Sequence, residues 1–582
     1  MSSKKDKIYS PSEIEDLIAR GSIIIIYKRN VLKLNGFIER HPGGEKIIHH
    51  FIGRDATDEM NSYHVDETVN AFNKFKIGEI DHSWINFLPP IQGGIYKKIG
   101  ENLPNDKKPA GTMPVEIIPK IPQGVILSIE KTELYPIKHD PYSYIESYKG
   151  VDTYDDYQSY KDLKSNISSI IRDPEEIIEN YDNNLVKQDL ETLPSLDYET
   201  QRKISEKYNA LHKLLIEKNL YDCPYIEYFY QFCRCLSLFL YFLIFLKIKW
   251  LTLSAISIGF CWQQLTFIAH DAGHIAITHN YQFDNIIGVL IADLFGGLSI
   301  GWWKRNHNIH HLVTNDPVHD PDIQHLPFFA VSTRLFGNVF STYYEHFFFL
   351  DSLAKFLVQF QGYTYYPFLA FGRFNLYRLS WTYLILDQGP KKGKIAWLRY
   401  FEIACLGTFF YWFFYLVVYK CIDNWKERII FVLVSHVASM LVHVQITLSH
   451  FAMSTSDLGT SEGFASRQLR TTMDVDCPEW LDYLHGGLQF QAIHHLFPRI
   501  PRHNFRKAQK YVIEFCEDVG LPYSIYGFGK GNAKVINKMD DVGKQLKIFK
   551  DCLKGMKSEA VDCKNLYEKR VESVLNDNKK HE

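Results

Sequence analysis

The sequence carries almost no net charge: 65 Lys and Arg stand against 67 Asp and Glu, a balance of -2 over 582 residues. That leaves no electrostatic argument for a nucleic-acid partner, whose phosphates are met by an excess of cations. Cysteine is sparse as well. The 10 present are scattered, with no C-x-x-C pair and no disulfide-like spacing. This argues against a disulfide-stapled secreted scaffold and suits a reduced, cytosol-facing protein. The stretch Met1 to Lys7 is polar and charged, and no apolar signal-peptide core follows it. The run Ile23 to Ile26 is too short to cross a bilayer and reads as a buried strand. No internal repeat is apparent.

Aromatic residues and histidine are abundant instead, with 40 Phe, 36 Tyr and 24 His. The length exceeds what one compact core accommodates, so at least two domains are expected. Residues 8–80 read as a small soluble domain. Ser10-Pro11-Ser12-Glu13 is a capping-box pattern with Pro at the first helical position, starting a helix through about Arg20. Gly21 ends it, and Ile23–Tyr27 and Val31–Leu34 read as strands. Residues 81–200 are polar and rich in Asp, Lys, Tyr and Pro, which predicts a partly ordered linker. Over 201–220, Ile204, Tyr208, Leu211, Leu214 and Leu215 have helical spacing, and an amphipathic helix lying on a membrane is expected.

Residues 201–530 read as the membrane domain and 531–582 as a charged tail. Leu236–Leu246 and Leu251–Ile268 flank a short polar turn, as do Phe401–Tyr419 and Ile429–Leu448. Two helical hairpins follow, about four spans in all, each near the ~20 residues a bilayer needs. The apolar stretches 285–303 and 326–374 are interrupted by charges and read as interfacial or re-entrant. Lys and Arg in the two hairpin turns fit the positive-inside rule poorly, so the side is argued from chemistry.

The chemistry-bearing residues are histidines. His41-Pro42-Gly43-Gly44 lies in the first domain, and His64 follows it. Two imidazoles leave a haem iron with no open position, which suits electron transfer. Residues 8–80 resemble the cytochrome b5 family, which implies haem b with His41 and His64 as axial ligands. Further along, His270-Asp271-Ala272-Gly273-His274 follows the second span. His307-Asn308-Ile309-His310-His311 and Gln491-Ala492-Ile493-His494-His495 complete three boxes. Residues i and i+4 share a helix face, so each box aims its rings one way. A single zinc takes about four ligands, and these histidines exceed that, which argues for two metals.

The three boxes resemble the membrane fatty-acyl desaturase and hydroxylase superfamily. Gln491 in place of a first His, together with the cytochrome b5-like domain, resembles the front-end desaturases. Trp302–Asn306, Asn315-Asp316-Pro317 and His485–Gln491 look like fungal sphingolipid delta-8 desaturases, which act on the long-chain base of ceramide. The resemblance implies a multidomain protein: an α+β haem domain, then an all-α membrane domain with a cytosolic His-box cap. It implies two non-haem irons, O2 as co-substrate, and electrons passed singly from the fused haem, the linker letting that domain swing to NADH-cytochrome b5 reductase. It also implies a further ligand, His450, at the end of the last span.

Gln491 fits three roles: weak ligand, hydrogen-bond partner or substrate contact. Asp271 and Asp316 are expected to orient ligand imidazoles, or to cap helices. His436 and His443 read as buried structural residues. His279, His319, His325 and His485 read as outer or surface residues. Lys579-Lys580 near the C-terminus resembles a retrieval signal of endoplasmic-reticulum membrane proteins. Three rival readings remain: a front-end desaturase of fatty acids, a lipid hydroxylase, and a haem-carrying electron-transfer protein with structural zinc.

Overall fold

The computed structural model describes residues 6–96, 174–393 and 395–578. Its first domain opens on the helix Pro11–Ala19. Glu13 N donates to Ser10 Oγ while Ser10 N donates to the Glu13 carboxylate, which closes the capping box. Strands Ile24–Tyr27, Asn30–Lys33 and Lys76–Glu79 form an antiparallel sheet in chain order. The first strand is apolar throughout because both its faces are covered. Ile24 and Ile26 pack with Ile14 and Ile18, whereas Ile25 and Tyr27 pack with Met60 and Phe72.

This domain does not stop at residue 80. Trp84, Phe87 and Tyr96 are buried against Ile14 and Ile18, and Trp84 Nε1 donates to Gly53 O at 3.1 Å. Residues 81–96, expected as linker, therefore complete the domain core, and Pro174–Thr192 is helical. The rest of that linker, 97–173, lies outside the described residues.

Among the described residues, four helices are long and apolar enough to cross a membrane: Tyr225–Lys247, Leu251–Gly273, Leu398–Lys420 and Trp425–Phe451. At about 1.5 Å per residue each matches a bilayer core. Their outward faces carry Phe232, Leu240, Tyr241, Ile430 and Leu433, all exposed, as lipid contact requires. The first span begins well before its apolar stretch. Gln231 in its early turns is buried against the second span, donating to Gln264 O at 2.8 Å. Both hairpin turns meet at one end, where Lys249 Nζ donates to Cys421 O at 2.8 Å and pairs with Asp423 at 3.3 Å. All the histidine-bearing ends consequently lie at the other. Between the hairpins, Tyr281–Phe295 and Ile300–Leu312 meet at 115°, in keeping with a re-entrant segment.

Two expectations change. The apolar stripe of helix Tyr198–Glu217 packs inside the protein: Ile204, Tyr208, Leu211 and Leu215 bury against Ile493, Leu496, Phe497 and Val512. The stripe covers the third histidine box and not a membrane surface. The expected charged tail is one helix, Phe528–Asn578, whose Val535, Met539, Val542 and Leu546 are buried at helical spacing. Lys579 and Lys580 lie outside the described residues.

The haem-type domain, expected to swing, is docked on the histidine-box end. Ser62 Oγ donates to Leu496 O at 2.9 Å and Arg499 Nε donates to Ser62 O at 3.0 Å. Lys46 Nζ donates to Thr342 O at 2.8 Å, and Asp58 accepts from Ser205 and Asn209, each at 2.7 Å.

Candidate metal and haem centres

In the first domain His41 precedes the helix Glu45–His49 and His64 ends the helix Thr57–Tyr63. His41 Nδ1 donates to Gly44 O at 2.9 Å and His64 Nδ1 to Met60 O at 3.1 Å. Each bond fixes the tautomer and leaves the Nε2 lone pair free. The ring centroids are 6.2 Å apart. Two imidazoles bound at about 2 Å on opposite sides of one iron put their centroids about 6 Å apart. Phe37, Phe72 and Phe75 crowd the pair. Gly43 is required here, since a Cβ would meet His41 Cε1 at 2.9 Å. Burial lowers the pKa of both histidines, that of His64 to about 3, so both rings are neutral.

The three boxes and His450 converge at the end of the four spans. His270 and His274 end the second span, and His450 stands near the end of the fourth. His307, His310 and His311 share the helix Ile300–Leu312; His494 and His495 share Gln491–Leu496. Two groups form. Nitrogens of His270, His274, His307 and His494 lie within 4.8 Å of one another, as do those of His310, His450 and His495. His311 stands between them, its Nε2 at 3.0 Å from His307 Nε2 and its ring stacked on His495 at 4.1 Å. Nitrogens on one metal at about 2.1 Å and a right angle lie about 3 Å apart. Gly273 exists because of this packing: a Cβ there would meet the Trp303 ring at 2.1 Å, and Trp303 stacks on His307 at 4.4 Å.

The site's donors are left unsatisfied. His274 Nε2, His311 Nδ1, His450 Nδ1, both nitrogens of His494, and His495 Nε2 are buried without a hydrogen-bond partner. Such orphaned groups are costly unless something fills the space between them. Burial first, then neighbouring imidazoles, hold His311, His494 and His495 well below the usual histidine pKa. Neutral, convergent imidazoles are the donor set that a pair of transition-metal ions takes.

The Fatty acid desaturase family model matches residues 248–527, and the Cytochrome b5-like Heme/Steroid binding domain model matches residues 10–81. The Delta 8-(E)-sphingolipid desaturase of Komagataella phaffii is 56% identical over 571 residues, covering 97% of this chain and 99% of its own. Its namesake in Candida albicans is 55% identical, over 94% and 98%. That of Emericella nidulans is 47% identical, over 96% and 98%. The chain belongs to the sphingolipid delta-8 desaturases.

Membership makes the protein an oxidoreductase of the desaturase type with a fused cytochrome b5 domain. A cytochrome b5 domain implies haem and a desaturase implies a di-iron centre, and the paired His41 and His64 rings and the orphaned nitrogens above fit both groups. What orients the rings in this desaturase differs from the sequence expectation. His310 Nδ1 donates to Asp320 Oδ2 at 2.8 Å, and His307 Nδ1 lies 3.7 Å from Asp322. These carboxylates override the burial of His310 and raise its pKa. His495 Nδ1 donates to Gln468 Oε1 at 2.9 Å. The sequence reading missed Asp320, Asp322 and Gln468; the only hint was a D-x-D pair shortly after the second box.

Of the two expected carboxylates, Asp271 lies 3.8 Å from His270 Nδ1 but is taken by Arg502 and Tyr228. Asp316 accepts from Val318 N at 2.9 Å and pairs with Arg467 at 3.6 Å, so it builds a turn and does not orient a box histidine. Gln491 is buried at the start of the third-box helix. His436 and His443 are held by Val432 O and Leu369 O. His279, His319, His325 and His485 stand outside both groups. His319 instead meets His50 of the haem domain, ring to ring at 5.5 Å.

Proposed function

We propose that this chain inserts a trans double bond at carbon 8 of the long-chain base of ceramide, using O2 and electrons from its own haem domain. One observation carries the reading. Two adjacent groups of buried histidines with unpartnered nitrogens sit at one end of four apolar spans, under a docked haem-type domain. The full-length likeness to proteins named Delta 8-(E)-sphingolipid desaturase supports the bond position and geometry.

In this reading His41 and His64 hold haem b through Nε2. His270, His274, His307 and His494 hold one iron; His310, His450 and His495 hold the other, with His311 between them. The irons supply the O2-dependent oxidising power that unactivated methylenes demand and acid–base side chains lack. Reducing O2 to two waters takes four electrons, two from the substrate and two from the haem. NADH-cytochrome b5 reductase is the donor to the haem. Because that donor is cytosolic, the boxes and haem domain face the cytosol from the endoplasmic-reticulum membrane.

Expression in a yeast lacking delta-8 unsaturated bases, with lipid mass spectrometry, tests the reading. A diunsaturated base with its new bond at carbon 8 is expected. Unchanged bases alongside a new polyunsaturated fatty acid, or a hydroxylated product, would contradict it.

A further inference from the structure

A cavity of about 510 Å³ lies between the loop carrying His41 and the start of the second-box helix. Its walls include Tyr281 and Asn285 of the re-entrant segment, Gly301 and Lys304 of the second-box helix, Tyr383, and Glu402 of the third span. We propose that this cavity receives the neutral hydroxyl-and-amide head of the long-chain base. The inference rests on the proposed function and names how its substrate is positioned.

Depth is the first argument. Leu398, Arg399 and Glu402 line the cavity from the first turns of the third span. Trp397 and Tyr400 are exposed at the same level, as interfacial aromatics are. A lipid whose tail lies in the hydrocarbon has its polar head at that height.

Unspent polar capacity is the second. The Lys304 ammonium has three donors. One goes to Asn285 Oδ1 at 2.9 Å, and the Tyr281 ring face lies 4.7 Å away. Lys304 is buried, yet no other acceptor within hydrogen-bond reach is seen among the described residues. Gly301 lets two polar groups approach the helix closely: a Cβ there would meet Glu402 Oε1 at 2.5 Å and Tyr383 Oη at 2.9 Å. The lining carries charges of both signs in nearly equal number, with Lys46, Lys391 and Arg399 beside Lys304, Arg305 and Lys392, and Glu45 and Glu345 beside Glu39, Asp387 and Glu402. A mixed lining suits hydroxyls and an amide, which donate and accept, better than a phosphate.

Distance is the third. Lys304 precedes His307 and His311 on one helix, so it stands about 5 Å and about 10 Å from them along the axis. Carbon 8 of an extended chain lies about 9 Å from carbon 1, with C–C bonds of ~1.5 Å. Trp303, the neighbour of Lys304, stacks on His307. Anchoring the head therefore brings the reacting carbons to the histidines and measures the bond position from the head. The loop Ile38–Lys46 roofs the cavity, so the docked haem domain covers the bound head.

The test uses purified holoenzyme in nanodiscs with a short-chain ceramide as probe. Binding is read from the shift in thermal unfolding, and bond position from mass spectrometry. Lys304→Met and Asn285→Leu should weaken probe binding about tenfold or more and scatter the new bond beyond carbon 8, with haem absorbance and iron content kept. Tyr383→Phe, which removes one hydroxyl, should raise KM more than it lowers kcat and decides the matter where the larger changes misfold. Wild-type binding and a single carbon-8 product in variants that keep their haem and iron would overturn the proposal. A wild-type enzyme that neither binds nor converts ceramide would overturn the proposed function and this inference together.

Discussion

The His310–Asp320 pair sets the tone at the scale of single residues. A ring that donates one N–H to a buried carboxylate has its other nitrogen aimed and made more basic. Asp320→Asn should lower iron affinity about 10–100-fold while leaving haem absorbance unchanged, as metal titration with the haem spectrum as control would show. Iron retained at wild-type affinity would mean that packing alone aims His310. Replacing His64 with Ala should abolish the reduced-haem absorbance and leave little turnover, because one of the two paired rings would be gone. The convergence of the box histidines was legible in sequence because helical spacing puts i and i+4 on one face. Asp320, Asp322 and Gln468 were not, because the fold, not local spacing, brings them to those rings.

Two elements support the third box. Asp474 accepts from Ala492 N at 2.9 Å, at the start of the box helix, and from Tyr523 and Gln509. Burial pushes its carboxyl up to about 7 from an ordinary 3.8. A raised folded-state pKa adds stability that is complete below about 4 and is lost as pH rises through about 7. Thermal unfolding should therefore show falling stability between about pH 4 and pH 7, and Asp474→Asn should flatten that slope. The other support is the helix Tyr198–Glu217. Tyr208 is fully buried and donates to Leu496 O at 2.7 Å. Tyr208→Ala should cost about 3 kcal/mol, read as a lowered Tm. The periodicity of this helix was plain in the sequence; its partner was not, since an apolar stripe fits a membrane surface and a protein core equally well. The 51-residue C-terminal helix was misread for a related reason, its high charge masking a narrow buried stripe.

For the whole molecule, domain order and the four spans followed from composition and motif, whereas the docking did not. Its contacts join residues hundreds of positions apart, such as Lys46 with Thr342 and Ser62 with Leu496. Docking holds the haem histidines near the boxes, and the Tyr63 ring lies 6.0 Å from that of His311. Loosening the contact by Asn209→Leu, which removes bonds to Asp58 and Asn61, should slow reoxidation of the reduced haem in air several-fold. The haem spectrum and iron content should stay as they are. An unchanged rate in stopped-flow absorbance would mean that a transient encounter suffices.

The central claim is that two histidine groups hold two irons beside a haem donor. Metal analysis of the purified chain tests it most directly. The account predicts two non-haem irons for each haem, lost together with product formation in His494→Ala and His495→Ala. Zinc in place of that iron, or full turnover in those variants, would contradict it.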